Sequence, residues 1–325
     1  MIELIGNEKA VGLTTRMISK GREPHSVMIC GEKGLGKRTI ARYLAAQLLC
    51  EEGTGKPCGV CRHCRLVEKG EHPDVITAVS SETGNYKVDD VRGIVSDAYV
   101  FPSEGRYKVY IIPDIDRSPQ TSVQIQNILL KTIEEPPDSA VIILTARSKE
   151  VFLETIISRT VHLNAAEVPP AEAMAYLIAH GRDKQLAEEA VRRCGGNIGR
   201  ALYYSESEEE RASAELALEC CRALAANNEY GVLKAVSKCD GKKAAFITLM
   251  GYMTRIIDDA AKLCAGAPIG EFVYSREVCR ALAGAFDLRQ LADIYDAVND
   301  HSGRASANCL VANLQNSLTA TLACV

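Results

Sequence analysis

Gly31-Glu32-Lys33-Gly34-Leu35-Gly36-Lys37-Arg38-Thr39, entered from the apolar run Val27-Met28-Ile29-Cys30, decides how the chain is organised. The apolar run reads as a buried strand and the stretch from Thr39 to Leu49 as an amphipathic helix, so the glycines stand at a strand-to-helix turn. In the pattern G-x-x-x-x-G-K-[ST], glycines let backbone N–H groups close around phosphate, the lysine reaches the terminal phosphates, and the hydroxyl ligates magnesium. Gly31, Gly36 and Lys37 keep those places and Gly34 adds a further glycine, but Arg38 holds the hydroxyl position. Thr39 comes one residue late, and one step along a helix turns a side chain by about 100°. Alone, such a stretch is a glycine-rich turn; with strand, Gly-x4-Gly-Lys and helix in order, it is a phosphate-binding loop whose metal position is altered.

Outward from the loop, short apolar runs at Val27–Cys30, Val75–Val79, Val109–Ile112, Val141–Leu144 and Val161–Leu163 suit buried strands. Helical patterns at Thr39–Leu49, Asp89–Ala98, Ser122–Ile133 and Lys149–Thr155 separate them. This alternation predicts an α/β domain, a parallel sheet covered by helices with ligands at the carboxyl ends of its strands. Val168-Pro169-Pro170 breaks the pattern, and the chain beyond it reads as helical throughout. A short helical group runs from Ala171 to Tyr204 with Gly195-Gly196 as a turn. Glu206-Ser207-Glu208-Glu209-Glu210 reads as a solvated helix start or linker. Beyond it, spacing such as Leu216, Cys220, Ala223 and Leu224 favours helix packing up to Val325.

The 325 residues suffice for two or three domains, each with its own core. A formal net charge of −4 is not the basic balance of a chain that holds nucleic acid by itself, so any DNA contact would be local or shared. Met1-Ile2-Glu3-Leu4-Ile5 lacks the features of a secretion signal, and no apolar run is long enough to span a bilayer, so a cytoplasmic location is expected.

Thirteen cysteines, an odd number, argue against a complete disulfide framework. Cys194, Cys220, Cys221, Cys239, Cys264, Cys279, Cys309 and Cys324 lie in Ala- and Leu-rich stretches, where a free cysteine packs as a small hydrophobe. Cys50, Cys58, Cys61 and Cys64 differ, because two consecutive C-x-x-C steps with a fourth thiol upstream bend readily around one tetrahedral ion. Structural zinc is the expected occupant. A redox dithiol would need only two of these thiols, and an iron–sulfur protein would usually carry further cofactor features. His63, between two of the cysteines, is a competing ligand in principle.

Leu4-Ile5-Gly6-Asn7-Glu8, the phosphate loop, the four cysteines, Gly70-Glu71-His72-Pro73-Asp74, Val88-Asp89-Asp90-Val91-Arg92 and Asn127-Ile128-Leu129-Leu130-Lys131-Thr132-Ile133-Glu134-Glu135-Pro136-Pro137 succeed one another in this chain. Together they resemble the clamp-loader AAA+ family of bacterial DNA polymerase III. The likeness is close over the first two of three domains and reduces to length and helical character in the third. It implies a P-loop AAA+ domain with a zinc module at about 50–64 (residues 1–166), a small helical lid (167–205) and an all-α collar for oligomerisation (206–325). Implied partners are the tau/gamma motors and delta through collar and AAA+ interfaces, with the sliding clamp and primer–template DNA met as part of the complex, and no membrane.

Against that family the catalytic positions are damaged. In Lys108-Val109-Tyr110-Ile111-Ile112-Pro113-Asp114-Ile115-Asp116, Pro113 falls on the first acid of the pair that holds magnesium, and Asp114 on the second. Only a shifted register would make Asp114 and Asp116 a surrogate pair, and the reading with Pro113 on the first acid is favoured. Thr145 falls on the sensor-1 position, and the sensor-2 arginine falls on Gly199, with Arg200 one position away. Ser158-Arg159-Thr160 resembles the family's Ser-Arg-Cys motif, which implies that Arg159 acts in trans as an arginine finger, although a surface salt-bridge arginine reads the same way by itself. The expectation is a non-motor clamp-loader subunit whose degenerate nucleotide positions (Gly31, Gly34, Gly36, Lys37, Thr39, Asp114 and Thr145) bind ATP or ADP weakly or not at all. An active tau/gamma-type ATPase is the alternative, with Lys37 and Asp114 catalytic. A small-molecule kinase would leave Pro136-Pro137 and Ser158-Arg159 without a reason to be there.

Overall fold

The computed structural model describes residues 2–81, 86–117, 119–267, 274–306 and 309–323. Two compact units divide the chain at residues 172 and 173. In the first, strands β1 (Ser26–Cys30), β2 (Val75–Thr77), β3 (Lys108–Ile112), β4 (Ala140–Ala146) and β5 (Val161–Asn164) form one parallel sheet in the order β2-β3-β4-β1-β5. The expected parallel α/β sheet is therefore present. Its strands are continuous apolar runs because both faces are covered: Val27 and Ile29 of β1 enter one core and Met28 and Cys30 the other, as the two-residue period of a strand requires.

Helices α1 (Glu8–Ile18), α2 (Lys37–Leu49), α3 (Arg62–Lys69), α4 (Val88–Asp97), α5 (Pro119–Glu134) and α6 (Glu154–Ile157) complete this unit. Sequence reasoning missed α1 and α3. The first is legible in hindsight from Val11, Thr14 and Ile18, which are buried at helical spacing. Ahead of α1, buried Asn7 accepts the Ala166 N–H at 3.0 Å, and a Cβ on Gly6 would lie 2.2 Å from Val168 Cγ1. The Leu4–Glu8 phrase thus pins the chain start beside the end of the sheet.

Two expectations need correction here. Lys149–Thr155 is not one helix but a 3-10 turn at Lys149–Val151, an extended Phe152-Leu153 and then α6. The cause is buried Gln126, whose amide donates to Val151 O at 2.8 Å and accepts the Leu153 N–H at 2.7 Å, taking backbone groups a helix would have used. On the sheet edge, β2 stops at Thr77, and Val79 is exposed.

Asp74 fixes the loop that leads into β3. Wholly buried, it accepts N–H bonds from Ser103 (2.6 Å), Glu104 (2.8 Å) and Gly105 (2.7 Å). Burial pushes its carboxyl upward, but the three N–H donors outweigh that and hold it below the usual aspartate range. A carboxyl depressed in the folded state contributes stability that is present above its unfolded value near ~3.9 and lost as pH falls through the folded value. Asp74→Ala strands three donors and is expected to cost about 3 kcal/mol, read as a lower denaturant midpoint at pH 7, with a smaller difference from wild type at low pH. An unchanged midpoint would remove this role.

Within the second unit, α8 (Lys184–Cys194) and α9 (Ile198–Glu206) come after α7 (Pro170–Ala179), which begins just before it, and Gly195-Gly196 turns the chain between α8 and α9 as expected. Helices α10 (Glu208–Ala225), α11 (Glu229–Ser237), α12 (Lys243–Cys264), α13 (Arg276–Ala285), α14 (Leu288–Ser306) and α15 (Val311–Ala323) complete it, so the chain after β5 is helical. Central α12 buries Phe246, Leu249, Met250, Met253, Ile256 and Ile257 against its neighbours α10, α13 and α14. In the acidic stretch Glu206 ends α9 and Glu208–Glu210 start α10, capped by Ser207, but Glu210 is buried and takes the Tyr252 hydroxyl at 2.9 Å, so the stretch is not wholly solvated. Cys194, Cys220, Cys221, Cys239 and Cys279 are buried as expected, whereas Cys264 and Cys309 are exposed, one in the last turn of α12 and the other outside the helices. Cys324 lies outside the described residues.

Candidate functional site

The sheet order places β1 between β4 and β5, so the loop after β1 emerges at the carboxyl edge beside the ends of β4 and, one strand further, β3. Gly31 N–H donates to Ala146 O (3.1 Å) and Arg147 O (3.0 Å), which anchors the loop to the end of β4. Gly31, Gly34 and Gly36 have φ of 152°, 94° and 79°, conformations that side chains strain to adopt, and the loop then opens α2 with Lys37 as its first residue. A Cβ on Gly31 would lie 2.8 Å from Ala165 O. Thr39 sits partly buried in the first turn of α2.

Lys37 is 6% exposed, and its ammonium donates to Gly31 O at 2.7 Å and Glu32 O at 3.1 Å. Burial draws that ammonium below the ordinary lysine range, against the opposing pull of Asp114 and Asp116. Asp114 leaves β3 with φ of 50°, a left-handed conformation that aspartate tolerates better than most residues. Three contacts hold it there: its N–H donates to Thr145 Oγ1 at 2.8 Å, and its carboxylate meets Arg38 Nη2 at 3.1 Å and Lys37 Nζ at 3.8 Å. Thus Lys37, Arg38, Asp114 and Thr145 come together. Asp116 turns elsewhere and accepts the Arg147 N–H at 2.9 Å. The Arg38–Asp114 pair escaped sequence reasoning because only the sheet order brings residues 76 positions apart together.

The four cysteines also converge. Sγ atoms of Cys50, Cys58, Cys61 and Cys64 all lie within 4.8 Å of one another, close to the ~3.8 Å edge of a tetrahedron with 2.3 Å metal–sulfur bonds. Backbone N–H groups of Cys58, Cys61 and Cys64 point at the sulfurs of Cys50 (3.4 Å), Cys58 (3.3 Å) and Cys61 (3.4 Å), orientations that stabilise thiolate. Those of Cys61 and Val60 lower the Cys58 thiol to about 7, whereas burial raises Cys50 and Cys64, so ionising those two sulfurs needs the charge of a bound cation. The cluster can therefore hold a metal ion. His63 takes no part in it: its Nδ1 faces His72 Nε2 at 2.8 Å. Buried Gln47 ties the module to α1 and its loop through Thr15 Oγ1 (2.7 Å) and Gly55 O (2.8 Å), and Arg42 donates to Val67 O and Glu68 O at the end of α3.

Arg159 lies just after α6, 42% exposed, with Nη1 on Thr155 O (3.0 Å) and Ser158 Oγ (3.2 Å) and Nη2 3.3 Å from Glu134. Glu134 ends α5 in the helix-stopping phrase, a link sequence reasoning missed. In the second unit Gly199 and Arg200 lie in the first turn of α9, and the Arg200 guanidinium stacks on Tyr252 at 4.3 Å, with Glu210 at 3.9 Å. Arg200 is thereby engaged inside its own helical unit.

A parallel sheet whose internal strand feeds a glycine-rich loop into a helix defines a P-loop α/β protein, here accompanied by a cysteine cluster. The family profile described as "DNA polymerase III, delta subunit" matches residues 6–169, half of the chain, and the chain belongs to that family. DNA polymerase III subunit tau of Escherichia coli is 37% identical over 170 residues, 51% of this chain and 26% of that protein. DNA polymerase III subunit gamma of Buchnera aphidicola is 36% identical over 161 residues, 49% of this chain and 43% of that one. This chain therefore spans less than half the length of these relatives. Among solved structures, a DNA polymerase III gamma subunit-related protein of Thermotoga maritima covers 96% of this chain and 98% of its own at 19% identity, with a TM-score of 0.44. No described helix is long and apolar enough to cross a membrane.

Proposed function

We propose that this chain is a non-motor clamp-loader subunit of the delta-prime kind, helping to load a sliding clamp onto primer–template DNA. Residues 1–166 serve as the AAA+ domain with a structural zinc on Cys50, Cys58, Cys61 and Cys64, residues 167–205 as a lid and 206–325 as a collar that meets tau/gamma-type motors and a delta subunit. Gly31, Gly34, Gly36, Lys37, Thr39, Asp114 and Thr145 form a nucleotide site without useful hydrolysis, and Arg159 serves a neighbour's ATP. The observation that carries this reading is Arg38, whose guanidinium meets Asp114 at 3.1 Å where an ATPase of this fold would place a metal ion between a hydroxyl and an acid. Pro113 removes the other acid.

The identity with tau and gamma favours a second reading, an active ATPase that uses Lys37 and Asp114. Turnover separates the two. The isolated chain is expected to hydrolyse MgATP no faster than background and to co-elute with motor and delta subunits in one complex. Magnesium-dependent turnover that Lys37→Ala abolishes would establish the second reading instead.

A further inference from the structure

A magnesium ion is what the loop's pattern implies, and the residues here do not fit one. Magnesium requires oxygen ligands in near-octahedral array at about 2.1 Å. The hydroxyl position is Arg38, the first acid is Pro113, and the carboxylate of Asp114 already faces the Arg38 guanidinium at 3.1 Å and the Lys37 ammonium at 3.8 Å. Asp116 is engaged by the Arg147 N–H, and Thr145 Oγ1 by the Asp114 N–H. A further cation about 4 Å from either positive group would meet a repulsion on the order of 4 kcal/mol at an effective dielectric near 20.

The anion-binding half of the site is nevertheless built. Three glycines hold the loop in backbone conformations that favour a cradle of N–H groups, α2 begins within it, and Lys37 is buried at its base. Arg38 is 63% exposed and Asp114 35%, and an ion pair that open contributes about 0–1 kcal/mol, so it exchanges partners at little cost. A guanidinium binds two oxygens of a phosphate through parallel N–H bonds, which supplies the charge and orientation a metal would otherwise give. We infer that this loop binds a nucleoside polyphosphate without a divalent cation, Arg38 standing in the metal's place, and that magnesium opposes the binding by competing for the same phosphate oxygens. This rests on the reading of the chain as a non-motor subunit and adds the ligand form its site takes.

The test is calorimetric titration of the full chain with ADP and with ATP, in EDTA and in excess magnesium chloride. The expected result is binding in EDTA that magnesium weakens several-fold. Arg38→Ala is expected to lose roughly tenfold in EDTA, and Arg38→Thr, which restores the hydroxyl, to reverse the sign of the magnesium effect. Arg38 is exposed, so both variants should keep the wild-type thermal midpoint. Binding that magnesium strengthens, Arg38→Ala affinity equal to wild type, or no binding in EDTA at about millimolar nucleotide would each overturn the inference. Absence of binding would leave the non-motor reading intact, because that reading stands or falls on turnover and assembly.

Discussion

Stripping the metal from the cysteine module is expected to release about one zinc per chain and to unfold the segment from Cys50 through α3. Few apolar side chains hold this segment: within α3 only Cys64 and Val67 are buried, and its other ties include polar contacts from Gln47, Arg42, the Arg62–Glu104 pair and the His63–His72 pair. Structural zinc contributes on the order of 10–16 kcal/mol of binding free energy in small peptides, and that energy is folding energy wherever the site does not pre-exist. Losing one ligand of four, as in Cys61→Ser, should forfeit roughly a quarter, about 3 kcal/mol. For a unit of this size that lowers the thermal midpoint by about 6–12 °C. Cys61 also begins α3, its sulfur accepting the Cys64 N–H, so serine retains a capping oxygen and the loss reports the metal rather than the cap. Exposed Cys264 provides the control: Cys264→Ser should change neither metal content nor midpoint. Metal-free chain with α3 still protected from hydrogen exchange and an undiminished midpoint would show the cluster to be ornamental.

The two kinds of site were unequally legible in the sequence. Cys58, Cys61 and Cys64 are local: three residues of spacing fix their geometry, and the upstream partner Cys50 lies only eight residues from Cys58, so pattern alone brings four sulfurs together. The strands were equally plain, because a strand covered on both faces must be apolar throughout. What the pattern could not carry was any pairing set by sheet order. Sequence marks Arg38 as a defect and Asp114 as a survivor, but only β4 lying between β1 and β3 makes them partners. Arg200 shows the same limit within the helical unit. Its offset from the expected sensor position is visible in the sequence, whereas its stacking on Tyr252, 52 positions away, depends on how α9 and α12 pack. Polar side chains that redirect backbone, such as Gln126 in the segment misread as a helix, are likewise invisible until the partner is in place.

Arg159→Ala is expected to leave assembly intact and to cut hydrolysis at the adjacent motor's site by on the order of 10³-fold, the lower range for an arginine finger supplied in trans. The resting contacts of Arg159 make it available for that task. Its guanidinium is 42% exposed, its carboxylate partner Glu134 is equally open at 3.3 Å, and its other contacts are a carbonyl and a hydroxyl of its own turn. Pairs this exposed contribute about 0–1 kcal/mol, so a triphosphate can take the guanidinium from Glu134 almost without cost. By the same argument, truncating Arg159 should change the stability of the isolated chain by less than about 0.5 kcal/mol, which separates a catalytic loss from a folding defect. Arg159→Lys keeps the charge but loses the two-pronged geometry and should recover only a small part of the rate. Glu134→Gln removes the resting partner while leaving the finger, and should keep turnover near wild type. Hydrolysis must be read per site in single-turnover measurements, since the other motors of a reconstituted loader would mask the loss in a steady-state average. Unchanged single-turnover rates in Arg159→Ala would return this residue to the role of a surface ion pair, and the loss of rate in Glu134→Gln alone would move the function to the carboxylate.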